Sequence, residues 1–395
     1  MNLVLKQILL VYVCLLALTG QVLADALTEE NQSSNGIDLR VELENAVKSI
    51  RVLATQGNAE AQAKLGMLYE TGLSVPQDYK QAVKWYRLAA EQGIVLAQSK
   101  LGSMYGKGQG VPQDYKEAVK WLLLAAERGA VAAQFNLGVM YDTGKGVPQD
   151  YKEAIRWYRL VAEQDDTLLA VYAIPAQSNL GLMYEMGQGV PQDYKEAMKW
   201  FRLAAESGYA TAQFNLGTMY DTGKGVPQDF KEATKWYRLA AEQGDAQAQS
   251  NLGLLYNTGK GVPQDYKESV KWYRLAAEQG AASALTNLAV SYQKGQGVLQ
   301  DYKEAVKLFR LAAEQGNDQA QANLAVMYSE GLGVQQSYVL SHMWINIAAA
   351  NSIKNTLQES TAKFRENVAL KMTADQIAKA QELARKCTAN KFKGC

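Results

Sequence analysis

The 395-residue chain is 48% hydrophobic and 21% charged, with 41 Lys and Arg set against 40 Asp and Glu, the balance of a globular chain and not of a disordered or fibrous one. So even a charge leaves no surplus to attract nucleic acid or anionic lipid, and neither is expected as a partner. One histidine, His342, rules out multi-histidine metal sites and makes His-based acid–base catalysis the minority expectation.

In chain order, the first feature is an address. Lys6 precedes an apolar run over residues 8–18, and the small-residue sites Val22-Leu23-Ala24 and Ala24-Asp25-Ala26 come after it. The pattern predicts a signal peptide over residues 1–24, cut after Ala24 or Ala26, with an uncleaved anchor as the alternative. The run is too short to cross a bilayer. The mature chain is therefore expected in the periplasm or outside the cell, with no other membrane contact. Cys14 leaves with the signal, so only Cys387 and Cys395 remain. They can close one short disulfide loop, worth about 2–3 kcal/mol of local order in an oxidising compartment, or stay as two free thiols. Residues 25–36 are polar and expected to lack structure.

From residue 58 onward a repeat dominates the chain. Leu65, Leu101 and Leu137 are 36 residues apart, as are Leu180, Leu216, Leu252, Leu288 and Leu324. Eight units result, beginning at Asn58, Ile94, Ala130, Ala173, Tyr209, Asp245, Ala281 and Asn317, with an insertion at residues 166–172. In residues 94–129, Ala97, Leu101, Met104 and Tyr105 share one helical face, which predicts a first helix, A. Gly106, Gly108 and Gly110 end it, and Pro112 cannot continue it. Asp114-Tyr115-Lys116-Glu117 predicts a capping box opening a second helix, B, whose apolar stripe carries Ala118, Trp121, Ala125 and Ala126 before Gly129.

All seven tryptophans occupy one position of helix B, with Leu308 as the exception, and tyrosines such as Tyr105 and Tyr220 recur at one position of helix A. Such regularity predicts core, in preference to a sugar-binding platform. One hairpin buries too little apolar area to offset the ordering of its backbone, so the hairpins must stack. The expected fold is all-α, an α/α superhelical solenoid of helical hairpins over residues 58–352. Mid-helix glycines such as Gly66 and Gly217 are expected where a second helix approaches closely.

Both ends read as caps. Residues 42–57 match helix B one unit early, with Ser49 in the tryptophan place, so residues 25–57 form a polar segment and a half-repeat. After Ser352 the repeat is lost; Thr373 and Gln376 predict a capping box for a last helix reaching about Lys386, and residues 353–395 are expected to be C-terminal capping helices. The insertion precedes Pro175, and Asp165 replaces the usual closing glycine, so the array either bends there or carries a lengthened loop without a role.

The pattern A-x-x-x-L-G-x-x-Y-x-x-G-x-G-V-x-x-D-x-x-x-A-x-x-W-x-x-A-A-E-x-G resembles the Sel-one-like repeat, a relative of the tetratricopeptide repeat. The resemblance implies a secreted bacterial scaffold that binds proteins on a curved surface, without cofactor or catalysis. It departs from the family's cysteine-rich branch, because no repeat carries a cysteine. The residue before the helix A leucine is Lys64, Lys100, then Asn136, Asn179, Asn215, Asn251, Asn287 and Asn323. In similar tetratricopeptide arrays matching asparagines line a concave groove and hold an extended peptide, which suits a side chain that both donates and accepts. The alternative is structural, with each Asn capping or bridging neighbouring loops. Glu70, Asp142, Glu185 and Asp221 border the same groove, as contacts or as solvated helix ends.

Two rival functions stay open. One is an envelope hydrolase acting on peptidoglycan or β-lactams, for which Ser291-Tyr292-Gln293-Lys294 and Ser360-Thr361-Ala362-Lys363 supply the serine–lysine spacing without the accompanying motifs. The other is a purely structural or self-associating array. The residues 142–153 loop lacks the oxygen ligands of a calcium loop, the Gly-Lys pairs lack a phosphate-binding context, and His342 reads as a partly buried helix residue.

Overall fold

The structure, a computed structural model, describes residues 36–164, 169–351 and 357–395. The signal segment, Cys14, residues 25–35 and part of the insertion lie outside the described residues. The chain divides into two compact units, one ending at Tyr172 and one beginning at Ala173. In the first, α1 (Gly36–Thr55) leads three hairpins: α2 (Ala59–Thr71) with α3 (Tyr79–Glu91), α4 (Val95–Lys107) with α5 (Tyr115–Ala126), and α6 (Val131–Thr143) with α7 (Tyr151–Ala162). In the second, α8 (Ala170–Met186), whose first three residues precede the division, pairs with α9 (Tyr194–Glu206), α10 (Ala210–Thr222) with α11 (Phe230–Glu242), and α12 (Ala246–Thr258) with α13 (Tyr266–Glu278). Then α14 (Ala282–Lys294) pairs with α15 (Tyr302–Ala313) and α16 (Asp318–Glu330) with α17 (Tyr338–Asn351), before α18 (Leu357–Ala369) and α19 (Ala374–Ala389). Among the described residues there is no strand, and the fold is an all-α solenoid of helical hairpins.

Local chemistry sets the helix ends. Asp114 accepts from the Lys116 and Glu117 amides at 2.9 and 3.1 Å, which starts α5. The reciprocal half of the expected box does not form. The Asp114 N–H already donates to the Tyr105 carbonyl at 3.0 Å, so Glu117 turns outward and meets Lys120 Nζ at 3.4 Å. At α19 the box is complete, with Gln376 N donating to Thr373 Oγ1 at 3.3 Å and Thr373 N to Gln376 Oε1 at 2.9 Å. Gly106 lies inside α4, and the stop is Gly108, whose φ of 67° is a left-handed cap. Gly110 comes next at φ 73° and presses on the Tyr79 carbonyl of the preceding hairpin, where any Cβ would collide.

The cores lie between hairpins. Ala82, Val83, Tyr86, Ala89 and Ala90 of α3 cluster with Ala97, Leu101 and Met104 of α4, and Trp121 of α5 closes the group. The same arrangement joins α5 to α6 with Trp157, α9 to α10 with Trp236, and α11 to α12 with Trp272. Within each unit a hairpin therefore completes the core of the one before it. In five repeats the most deeply buried aromatic is the residue after the tryptophan: Tyr86, Tyr158, Phe201, Tyr237 and Tyr273 are fully or almost fully buried. It explains the helix A glycines, because a Cβ on Gly66 or Gly217 would stand 2.7 Å from the ring of Tyr86 or Tyr237. The helix A tyrosines are mostly half-buried; Arg202 donates to the Tyr220 hydroxyl at 2.9 Å, tying one hairpin to the next.

At the C-terminus, Trp344 and Ile347 of α17 are buried beside Ala384 and Cys387 of α19. Cys387 is bonded to Cys395 with Cα atoms 5.6 Å apart, and the Phe392 ring lies on Gly316. The insertion is not only a longer loop. Part of it is helical, because α8 begins at Ala170 and carries Pro175 in its second turn, where proline withholds a donor from the preceding turn.

Candidate functional site

Each of the six recurring asparagines precedes a core leucine: Leu137, Leu180, Leu216, Leu252 and Leu324 are fully inaccessible and Leu288 nearly so. That register holds the asparagine half-buried at the rim of the core. Within each unit, A helices adjoin along this rim. Lys100 Nζ on α4 meets Glu70 Oε1 on α2 at 3.0 Å, and Ser250 Oγ on α12 lies 3.2 Å from Ser283 Oγ on α14. The first unit thus presents Lys64, Lys100 and Asn136 on its helix A face; the second presents Asn179, Asn215, Asn251, Asn287 and Asn323 on its own.

Hydrogen bonding separates these amides from the rest of the repeat. Asn323 Oδ1 accepts from Gln319 Nε2 at 3.3 Å, and Asn251 bonds the Tyr237 hydroxyl. Asn136, Asn179, Asn215 and Asn287 have no side-chain partner among the described residues, and Asn215 Nδ2 is buried without an acceptor. Loop bridging falls to other residues: Gln149 Nε2 donates to the Asp142 carbonyl and Gln228 Nε2 to the Asp221 carbonyl, both at 2.6 Å.

The bordering acids also have a structural task. They receive the hydroxyls of the buried helix B tyrosines: Tyr86 to Glu70 at 2.6 Å, Tyr158 to Asp142 at 3.5 Å and Tyr237 to Asp221 at 3.3 Å. Glu185 faces the hydroxyl-free Phe201 repeat and instead meets Lys224 Nζ at 3.6 Å. Burial pushes the Asp142 carboxyl above the usual carboxylate range, partly opposed by the Tyr158 hydroxyl. Burial also pushes Tyr237 and Tyr273 up to about 12, and with the neighbouring Glu70 charge it pushes Tyr86 upward.

A second polar series was not foreseen. Gln62, Gln98, Gln134, Gln213, Gln249 and Gln321 are buried three residues before the helix A leucine. Gln249 Nε2 donates to the Ala241 carbonyl at the end of the preceding hairpin at 3.1 Å, and its Oε1 accepts from Gln279 Nε2 at 2.9 Å. Gln213 repeats this with Ala205 at 3.1 Å and Gln243 at 2.8 Å. The signal was present: an amide recurring on an otherwise apolar stripe must find partners when buried.

The residues weighed for chemistry sit in structural places. Ser291 is buried and donates to the Asn287 carbonyl at 3.0 Å, while Ser360 is exposed at the start of α18. His342 is more fully buried than expected, 3.0 Å from Asn346 Nδ2, and burial together with the Arg365 charge holds its pKa low. Among the described residues, no group of His, Cys, Asp and Glu has the arrangement of a metal site, and no helix is long and apolar enough to cross a membrane.

The Sel1 repeat pattern matches residues 59–94, 95–129, 131–166, 174–209, 210–245, 246–280, 282–317 and 318–352. The chain belongs to the Sel1 repeat family. A Sel1 repeat protein from Oxalobacter formigenes is 33% identical, with 80% of this chain and 89% of that chain covered at a TM-score of 0.60. A protective antigen of uropathogenic Escherichia coli displaying an SLR fold is 29% identical, with 93% and 96% covered at a TM-score of 0.46. No curated protein matches. Sel1 repeat proteins are generally protein–protein interaction scaffolds, and the repeat is typically non-enzymatic.

Proposed function

We propose that this Sel1 repeat chain is exported and holds an extended segment of a protein partner along its helix A faces. Asn136 would do so in the first unit and Asn179, Asn215, Asn251, Asn287 and Asn323 in the second. One observation carries the reading: four of these amides lack side-chain partners among the described residues, whereas the recurring glutamines and the Asp caps of the same repeats are bonded. A primary amide offers two donors and an acceptor with two lone pairs, which matches the N–H and C=O rows of an extended backbone.

The test is capture from cell-envelope extracts with the mature chain and with an Asn215→Ala, Asn251→Ala variant. The reading predicts that the variant loses the partner with little loss of melting temperature, the only internal bond removed being that of Asn251 to the Tyr237 hydroxyl. Equal capture by both chains, or a large drop in stability with capture retained, overturns it. Export rests on residues 1–24 and predicts that protein recovered outside the cytoplasm begins at Asp25 or Leu27; recovery with Met1 still attached contradicts it.

A further inference from the structure

We propose that the helix A face of the second unit selects extended segments whose inward-pointing residues are uncharged and aliphatic. This rests on the peptide-binding reading and adds the chemistry of the occupant. Three residues after each recurring asparagine, one turn along the same face, stand Leu182, Thr218, Leu254, Val290 and Val326. Four residues before the asparagines stand Pro175, Thr211, Gln247, Ser283 and Gln319. All are exposed or half-exposed, Leu254 at 44%, and none is ionisable.

The nearest acids at the edge of this face are already engaged, Glu185 by Lys224 and Asp221 by Tyr237. The first unit differs, with Glu60, Lys64 and Lys100 at the matching positions; one further turn along, Lys107 has charged counterparts in the second unit only at Lys294 and Glu330, on its last two A helices within the repeats. A charged side chain laid over Leu254, whose helix carries no acidic or basic residue, would lose water and find no counter-ion on that helix, which is costly. An aliphatic one would cover Leu254 or Val290 while the asparagines take its backbone. Residues of an extended chain point alternately to opposite sides, so the selection acts on every second residue.

The experiment uses the full mature chain and three fluorescent ten-residue peptides with blocked ends. The first alternates Val and Ser; the others carry Asp or Lys in place of Val. Anisotropy should show the Val peptide binding at least tenfold more tightly than either charged one. Leu254→Lys should weaken the Val peptide about tenfold and narrow its advantage over the Asp peptide, and Val290→Lys should do the same if the first variant misfolds by circular dichroism. Asn215→Ala with Asn251→Ala should abolish binding of all three. A charged peptide that binds as tightly as the Val peptide, still dependent on the asparagines, overturns the selectivity and leaves the peptide-binding reading in place. Absence of any asparagine-dependent binding overturns both.

Discussion

Replacing Gln249 by Ala tests the energetic role of the unforeseen glutamines. Gln249 is 4% exposed, and its amide joins two partners: the Ala241 carbonyl at 3.1 Å and Gln279 Nε2 at 2.9 Å. Truncation removes the side-chain donor of a buried carbonyl, costing about 1–3 kcal/mol, and one further hydrogen bond worth about 1 kcal/mol. Gln279 keeps the Gly244 carbonyl at 2.9 Å, so its donor is not orphaned. The expected total is about 2–4 kcal/mol, concentrated where α11 meets α12. Urea unfolding of the full chain should shift to a lower midpoint, and hydrogen exchange should show the loss around residues 240–250 first. Repeat seven carries Leu285 at this place, so Gln249→Leu should be milder than Gln249→Ala. A change below about 0.5 kcal/mol, the range of an ordinary surface substitution, would refute the staple.

Other outcomes depend on the same kinds of contact. His342 has a lowered pKa in the folded chain, so the unfolded state binds more protons; stability present above the unfolded value is lost as pH falls through the folded one, and His342→Gln should flatten urea midpoints measured between pH 7 and 5. Tyr237 and Tyr273 are raised to about 12, so their contribution is intact below pH 10 and fades as pH rises towards 12; absorbance at 295 nm should report their ionisation together with loss of helix, and not before it. The mature chain should show no free thiol under denaturing, non-reducing titration, and Cys387→Ser should loosen α19 locally by about 2–3 kcal/mol without unfolding the other hairpins.

Sequence periodicity exposed the hairpins because each positional requirement recurs in most of the eight repeats, so an apolar stripe or a cap cannot be mistaken for chance. Its limit is that a repeat shows which residues matter without showing to whom they belong. Trp121 was legible as core, yet its cluster consists mostly of residues of the preceding hairpin. Tyr86 went unmarked because Leu122 and Phe201 replace it in sibling repeats, although all three fill the space left by a facing glycine. The Asp114 box was half right, since the nearby Tyr105 carbonyl, distant in helix register, takes the amide that Glu117 would have satisfied. The internal role of the acids was missed for a similar reason: Glu70 looks solvated along its own helix, and only the fold brings the Tyr86 hydroxyl to it. The asparagines were legible as a series, and the structure adds which of them have no partner.

Stability in this fold depends on cores that each hairpin completes only with its neighbour. Circular dichroism and sedimentation of the excised hairpin spanning residues 209–244, beside a piece spanning residues 173–395, test this directly. The hairpin alone should be a largely unfolded monomer while the longer piece melts as a helical one. A cooperatively folded, monomeric single hairpin would contradict the account.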